Sequence, residues 1–213
     1  MKWATVSERR AASERMYERD PHRFIGDPTR FLRWSLPRLA ELGTHLSILE
    51  LGCGPGRDSR ALASAGHEVR AVDHSSIAIE RARAMPSPPS LRFERSDALT
   101  ALRKTAASSV DAVYAHALYM MFSVAELRDL VVELARALRP GGFHLFAVRS
   151  ASDPIASQSR EVAPNVWCGG AHATPYRYYR AATVEAFGKG RFERVATEFE
   201  PELHLWYVCD RRP

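Results

Sequence analysis

Gly52, Gly54 and Gly56 fall at alternate positions after the apolar run Ser47-Ile48-Leu49-Glu50-Leu51, and a helical pattern starts at Arg57. Glycine turns a backbone without Cβ clashes, so this arrangement brings main chain close to a nucleotide-like ligand. Two carboxylates come later in register with it. Asp73 closes the next apolar run, where it could accept both hydroxyl hydrogens of a ribose. Asp97 comes after a third run, where it could accept from an adenine amino group while Ala98 offers its N–H. Each aspartate also has a local explanation as a helix cap, Asp73 near Ser76 and Asp97 ahead of Ala98. Capping alone does not account for their placement after consecutive strands. The spacing differs from the G-x-G-x-x-G of pyrophosphate cradles, and Pro55 removes one N–H from the turn. No Lys-Ser or Lys-Thr pair closes a phosphate loop. A ligand whose amino-acid end carries its own ammonium and carboxylate fits better.

Chemistry at a second reactant would come from residues just past the fourth and fifth apolar runs. His116 is the candidate for substrate contact or proton removal, with an orienting or packed histidine as the other reading. Tyr119, Met120, Met121 and Phe122 could wall an apolar pocket or pack under a helix. Arg149, Ser150 and Asp153 leave the fifth run, and His172, Tyr176, Arg177, Tyr178, Tyr179 and Arg180 come after them. Trp3, Tyr17, Phe24 and Trp34 could add a hydrophobic lid. The histidines are dispersed without ligand spacing, so no metal site is expected.

The elements that must position these groups read from periodicity. Helical patterns cover Ser7–Arg19 and Phe31–Leu42, the second with an awkward Pro37. Strands at Ile48–Leu51, Glu68–Val72, Leu91–Arg95, Val110–Ala115 and Phe143–Val148 alternate with helices at Arg57–Ala65, Ser76–Met85, Leu99–Ala106 and Val124–Leu138. That rhythm predicts an α/β fold: a mostly parallel sheet with helices on both faces. Residues 149–175 read as irregular, Thr183–Phe187 as a short helix, and Phe192–Glu198 and Leu203–Cys209 as a hairpin-like pair. We expect a helical cap over 1–46 and a catalytic domain over 47–213, with 149–180 as a substrate-side insertion.

The chain has 213 residues, 46% of them hydrophobic, enough for one globular core. A net charge of +5, scattered along the chain, argues against a dedicated nucleic-acid surface. No apolar run reaches the eighteen residues a membrane span needs, and the amino terminus lacks a signal-peptide core. Cys53, Cys168 and Cys209 read as a reduced set, so a cytoplasmic location is expected.

With these residues in view, the sequence resembles the class I S-adenosylmethionine-dependent methyltransferases. Glu50-Leu51-Gly52-Cys53-Gly54-Pro55-Gly56 is similar to that family's first motif, Val72-Asp73 to its ribose motif and Ser96-Asp97-Ala98 to its adenine motif. Val110–Ala115 and Leu138-Arg139-Pro140-Gly141-Gly142 resemble its fourth-strand motif and the turn into its fifth strand. Residues 57–67 and His116–Phe122 resemble the small-molecule branch typified by tellurite-resistance and thiopurine methyltransferases. The resemblance implies a Rossmann-like seven-stranded sheet whose last strand is antiparallel. It implies the methionine end of S-adenosylmethionine over Gly52–Gly56, with Cys53 within the turn, Arg57 after it and Glu50 assisting the ammonium. It further implies Asp73 on the ribose, with His74 beside it, Asp97 and Ala98 on the adenine, and Ala115 and His116 facing the sulfonium. Trp34, Tyr119, Arg149, His172 and Arg177 are the candidates for contact with a small-molecule acceptor. The alternatives are methylation of RNA or protein, and a non-catalytic cofactor-binding regulator.

Overall fold

The computed structural model describes residues 2–170 and 172–213, except for the side chains of His172 and Ala173. Two helices come first, α1 (Val6–Arg19) and α2 (Arg30–Leu42). Strands and helices then alternate through β1 (Ser47–Leu51), α3 (Arg57–Ser64), β2 (Glu68–Asp73), α4 (Ser76–Ala84) and β3 (Leu91–Arg95). They continue through α5 (Ala98–Lys104), β4 (Val110–His116), α6 (Val124–Ala137) and β5 (Leu138–Arg149). After β5 come β6 (Arg160–Ala163), β7 (Val166–Gly169), β8 (His172–Arg177), α7 (Ala181–Ala186), β9 (Glu193–Glu200) and β10 (Leu205–Arg211).

Seven strands form one sheet in the order β3-β2-β1-β4-β5-β10-β9. The pairs among β1 to β5 are parallel, and β10 runs antiparallel between β5 and β9. Strand order reverses between β1 and β4, so the crevice beyond their carboxyl ends is where an open sheet of this kind takes its ligand.

Strand alternation divides the core into two layers. Leu49, Leu51, Val113, Phe146 and Val148 face Leu102, Leu130 and Leu134 of α5 and α6. Ile48, Tyr114, Leu145 and Tyr207 face Phe31, Leu32 and Leu39 of α2 and Leu62 of α3. The helices start where short polar side chains satisfy free N–H groups. Thr5 with Glu8 and Ser123 with Glu126 form capping boxes on α1 and α6. Thr29, Ser75 and Asp97 cap α2, α4 and α5. Pro37 stays within α2, whose apolar face is held by core contacts.

Two expectations are corrected. Residues 149–175 are not irregular throughout, since β6, β7 and β8 form a separate antiparallel sheet. Its strands are short and interrupted by proline and glycine, which hides any alternation. The turn signal was Pro164-Asn165, a two-residue link with Asn165 at φ +63°. The fifth strand begins at Leu138 instead of Phe143, because Pro140-Gly141-Gly142 continue in it past an irregularity opposite Val110–Ala112.

Candidate cofactor and acceptor site

The turn after β1 is built from left-handed glycines, with φ of +72° at Gly52, +55° at Gly54 and +81° at Gly56. Gly52 and Cys53 N–H both donate to Val72 O, at 2.8 and 3.0 Å, which ties the turn to the end of β2. Space around it is also taken. A Cβ on Gly54 would lie 2.9 Å from the Tyr17 hydroxyl, and one on Gly56 would lie 2.4 Å from Phe93 Cζ. The turn is therefore packed under α1 and against β3. Cys53 is buried and burial pushes its thiol well up, so it stays protonated. Arg57 opens α3, with Nε 3.9 Å from Asp58.

Asp73 is joined to this turn directly. Its Oδ2 accepts from Gly54 N–H at 2.9 Å and its Oδ1 from Ser75 N–H at 2.9 Å. Each oxygen keeps a second acceptor lone pair for a hydroxyl donor. His74 Nε2 pairs with Ser13 Oγ at 2.8 Å, and burial lowers its imidazole against the pull of Asp73. Asp97 caps α5, accepting from Thr100 N–H at 3.0 Å, so its capping explanation holds. One carboxylate oxygen is engaged this way, and Ala98 occupies the first helical turn, where N–H groups lack intrahelical acceptors.

Behind the turn lies a buried acidic pair. Asp58, 4% exposed, accepts from Thr29 N–H at 2.8 Å, Thr29 Oγ1 at 2.7 Å and the Tyr114 hydroxyl at 2.8 Å. Glu50, 3% exposed, has Oε2 buried with no hydrogen-bond partner. Burial pushes the Glu50 carboxyl up to about 8, and Asp58 adds to the shift. An orphaned buried carboxyl oxygen beside a second acidic side chain suits a cationic ligand group such as an ammonium.

His116 ends β4 half-buried, its ring stacked on Phe31 at 5.8 Å between centroids. Burial pushes its imidazole down to about 4 although Asp58 pulls the other way, so it is neutral at pH 7. Ala115 before it is buried, and Ala117 after it takes φ +53°, uncommon for alanine. Strain of that kind concentrates at functional corners.

The acceptor candidates disperse. Tyr119 is fully buried in the sheet-and-α6 core, with its hydroxyl on His144 Nε2 at 2.8 Å. Trp34 is half-buried and donates from Nε1 to Glu198 at 2.7 Å, so Phe31 is the aromatic next to His116 in its place. Arg149 ends β5 and forms an ion pair with buried Asp153. Arg177 lies on β8 with a buried guanidinium. The His172 side chain is outside the described residues.

Sequence reasoning missed most of what α1 does. Glu14 accepts from Ser75 Oγ, Ser76 N–H and Ser76 Oγ at 2.8 Å each and from Ile77 N–H at 3.2 Å, clamping α1 to the amino end of α4. Arg9, at the other end, pairs with Glu126 at 2.6 Å. Held at these two points, α1 lies over the chain that leaves β2 and β4, and Tyr17, one turn past Glu14, sits over Gly54. Only the spacing of Ser13 and Tyr17 on one helical face hinted at this.

Residues 48–142 match the family described as a methyltransferase domain. Trans-aconitate 2-methyltransferase of Azoarcus sp. (strain BH72) is 31% identical over 147 residues, covering 68% of this chain and 55% of that protein. Hemagglutinin 1 of Eikenella corrodens is 30% identical over 97 residues, 46% of this chain and 32% of that protein. The chain thus spans about a third to a half of the length of the curated relatives it matches. Burkholderia thailandensis 1,6-didemethyltoxoflavin-N1-methyltransferase, with bound 1,6-didemethyltoxoflavin and S-adenosylhomocysteine, shares the fold. Its TM-score is 0.72 at 19% identity, over 100% of this chain and 92% of that one.

Proposed function

Since residues 48–142 match a methyltransferase domain, we propose that this protein is a class I S-adenosylmethionine-dependent enzyme that transfers a methyl group from that cofactor to a small-molecule acceptor. The observation carrying this reading is the union of the Gly52–Gly56 turn with Asp73 at the reversal of strand order, beside the unpaired Glu50 oxygen. When bound, S-adenosylmethionine supplies an electrophilic methyl on a sulfonium sulfur. The residues present fit it. Asp73 takes the ribose hydroxyls, Asp97 and Ala98 the adenine edge, and Glu50 with Gly52–Gly56 the amino-acid end.

The protein then has to align an acceptor and keep water away. Tyr17 and the clamped α1 cover the edge, which suits an acceptor small enough to be enclosed. Relatives named for trans-aconitate and 1,6-didemethyltoxoflavin support a small molecule over RNA or protein. We assign residues 1–46 to a cap and 149–180 to an acceptor-side insertion. We place the protein in the cytoplasm, a reading supported by the buried thiols of Cys53 and Cys209. Among the described residues no helix is long and apolar enough to cross a membrane.

His116, held neutral, donates from one ring nitrogen and accepts at the other, orienting the acceptor and taking its proton where it carries one. His116→Ala is expected to lower kcat about 100-fold while changing S-adenosylhomocysteine affinity less than twofold. Steady-state kinetics with parallel calorimetry checks this. Loss of affinity equal to the loss of kcat would place His116 in the cofactor site instead.

Glu50 gives a second test. Protonated below about 8 in the free protein, it must ionise beside a bound ammonium. Binding at pH 7 is therefore expected to release a proton, and affinity to rise with pH until Glu50 is ionised in the free protein. Calorimetry in buffers of different ionisation enthalpy measures this, and Glu50→Gln should abolish the release. Binding of S-adenosylmethionine but not of nicotinamide dinucleotides tests the cofactor assignment itself. Turnover with a panel of thiols, phenols, amines and carboxylates separates an enzyme from a binding protein.

A further inference from the structure

Among the described residues two arginines are buried, Arg9 and Arg177, and they differ in how they are met. Arg9 meets Glu126 at 2.6 Å and also donates to Ala4 O and Met121 O. Arg194, largely buried, meets Asp210 at 2.5 Å. Arg177 is 6% exposed, and its Nε and Nη2 are buried without a hydrogen-bond partner. No carboxylate among the described residues forms an ion pair with it. The Trp3 ring lies 5.4 Å from its Cζ, and Tyr179 is close by. A cation–π contact offsets only a small part of what burying an ion costs.

The location of this cation matters as much as its isolation. β8 packs on the turn Tyr119–Met121, which begins three residues after His116, and the Tyr179 hydroxyl donates to Tyr119 O at 3.3 Å. The segment carrying Trp3 reaches the same turn, where Arg9 holds both Ala4 O and Met121 O. Arg177 therefore sits beside the stretch of chain that leaves β4 on the acceptor side, under a cover made by the residues ahead of α1. Its two orphan nitrogens are the pair along one edge of the guanidinium. That edge presents parallel N–H donors spaced to match two oxygens of a carboxylate.

We propose that Arg177 is the anion-recognition residue of the acceptor pocket, and that the acceptor carries a carboxylate that pairs with Nε and Nη2 when the Trp3 segment lifts. This rests on the methyltransferase reading and names its substrate class. An arginine kept unpaired inside a protein is a stability cost that function explains. Lysine at 177 would keep the charge and lose the fork.

The test uses the full chain saturated with S-adenosylhomocysteine, and citrate, trimethyl citrate and inorganic phosphate as probes. Citrate is expected to bind, trimethyl citrate not to. Arg177→Met should weaken citrate at least tenfold and Arg177→Lys severalfold, with S-adenosylhomocysteine affinity unchanged in both. Ligand-free Arg177→Met is also expected to melt at or above the wild-type temperature, because the unpaired buried charge is gone. Citrate affinity unchanged in Arg177→Met would overturn the proposal. So would a fall in melting temperature in both variants, which would make Arg177 a structural residue. Phosphate bound more tightly than citrate would overturn the carboxylate assignment. If the wild-type chain binds no S-adenosylhomocysteine, the methyltransferase reading itself falls. If it binds and citrate ignores Arg177, only the present inference does.

Discussion

Asp73→Ala is expected to weaken S-adenosylmethionine binding at least tenfold, about 1.4 kcal/mol. The reason is double. The ribose loses its carboxylate, and the turn that carries the amino-acid end loses its tie, because Gly54 N–H donates to Asp73 Oδ2 and Ser75 N–H to Oδ1. Two backbone donors are left unmet, each costing about 1–3 kcal/mol where buried. Against this, burial holds the Asp73 carboxyl above its ordinary range, so removing it also relieves a desolvated charge. Both affinity and stability are therefore expected to fall. Asp73→Asn separates the two effects. Its amide nitrogen must face one of the two N–H donors, so it should weaken binding as well while keeping the side chain's shape. Calorimetry alongside thermal melting reads both quantities. An affinity within twofold of wild type in both variants would remove Asp73 from the site.

Gly56→Ala is expected to cost about 3 kcal/mol of stability and to lower the melting temperature by roughly 6–12 °C. A non-glycine residue at φ +81° pays about 1–2 kcal/mol, and the new Cβ would meet Phe93 Cζ at 2.4 Å. The Phe93 ring is held between the turn and Arg60, whose Cζ lies 5.3 Å from its centroid. Relieving the clash requires this ring to shift away from the turn. Gly190→Ala supplies the control. Its φ of +82° is nearly the same, and nothing lies within 4 Å of the added carbon. It should show the backbone cost alone, and the difference between the two variants measures the contact. Equal melting temperatures for the two variants would mean that the turn is not pinned against β3.

Much of this was legible before the fold was known, for identifiable reasons. The five parallel strands are short apolar or alternating runs and their helices carry apolar positions at helical spacing, all punctuated by glycine, proline and capping residues, so short-range pattern was enough. The glycine turn and Asp73 were legible because both sit at strand ends, where the fold leaves little freedom. Three things were hidden. The β6–β8 sheet has strands too short to show alternation. Tyr119 reads equally as a pocket wall or as core, and only the fold decides between them: its ring enters the core beside His144. The role of α1 depends on charges that look solvated in one dimension. Glu14, Ser13 and Arg9 find their partners 61, 61 and 117 residues away. Long-range polar pairing of this kind leaves no periodic trace. Phe31 was legible only as a helix-face residue, because its contact with His116 is made between α2 and the end of β4, far apart in sequence.

An adenosyl ligand lying along one edge of the sheet is the central claim, and amide hydrogen exchange with and without S-adenosylhomocysteine tests it most directly. Protection is expected together in four separate segments: the turn at 52–57, the stretch at 73–76, the start of α5 at 97–99, and the corner at 116–118. Saturable binding that leaves the 52–57 and 73–76 amides exchanging at their free rates would contradict it.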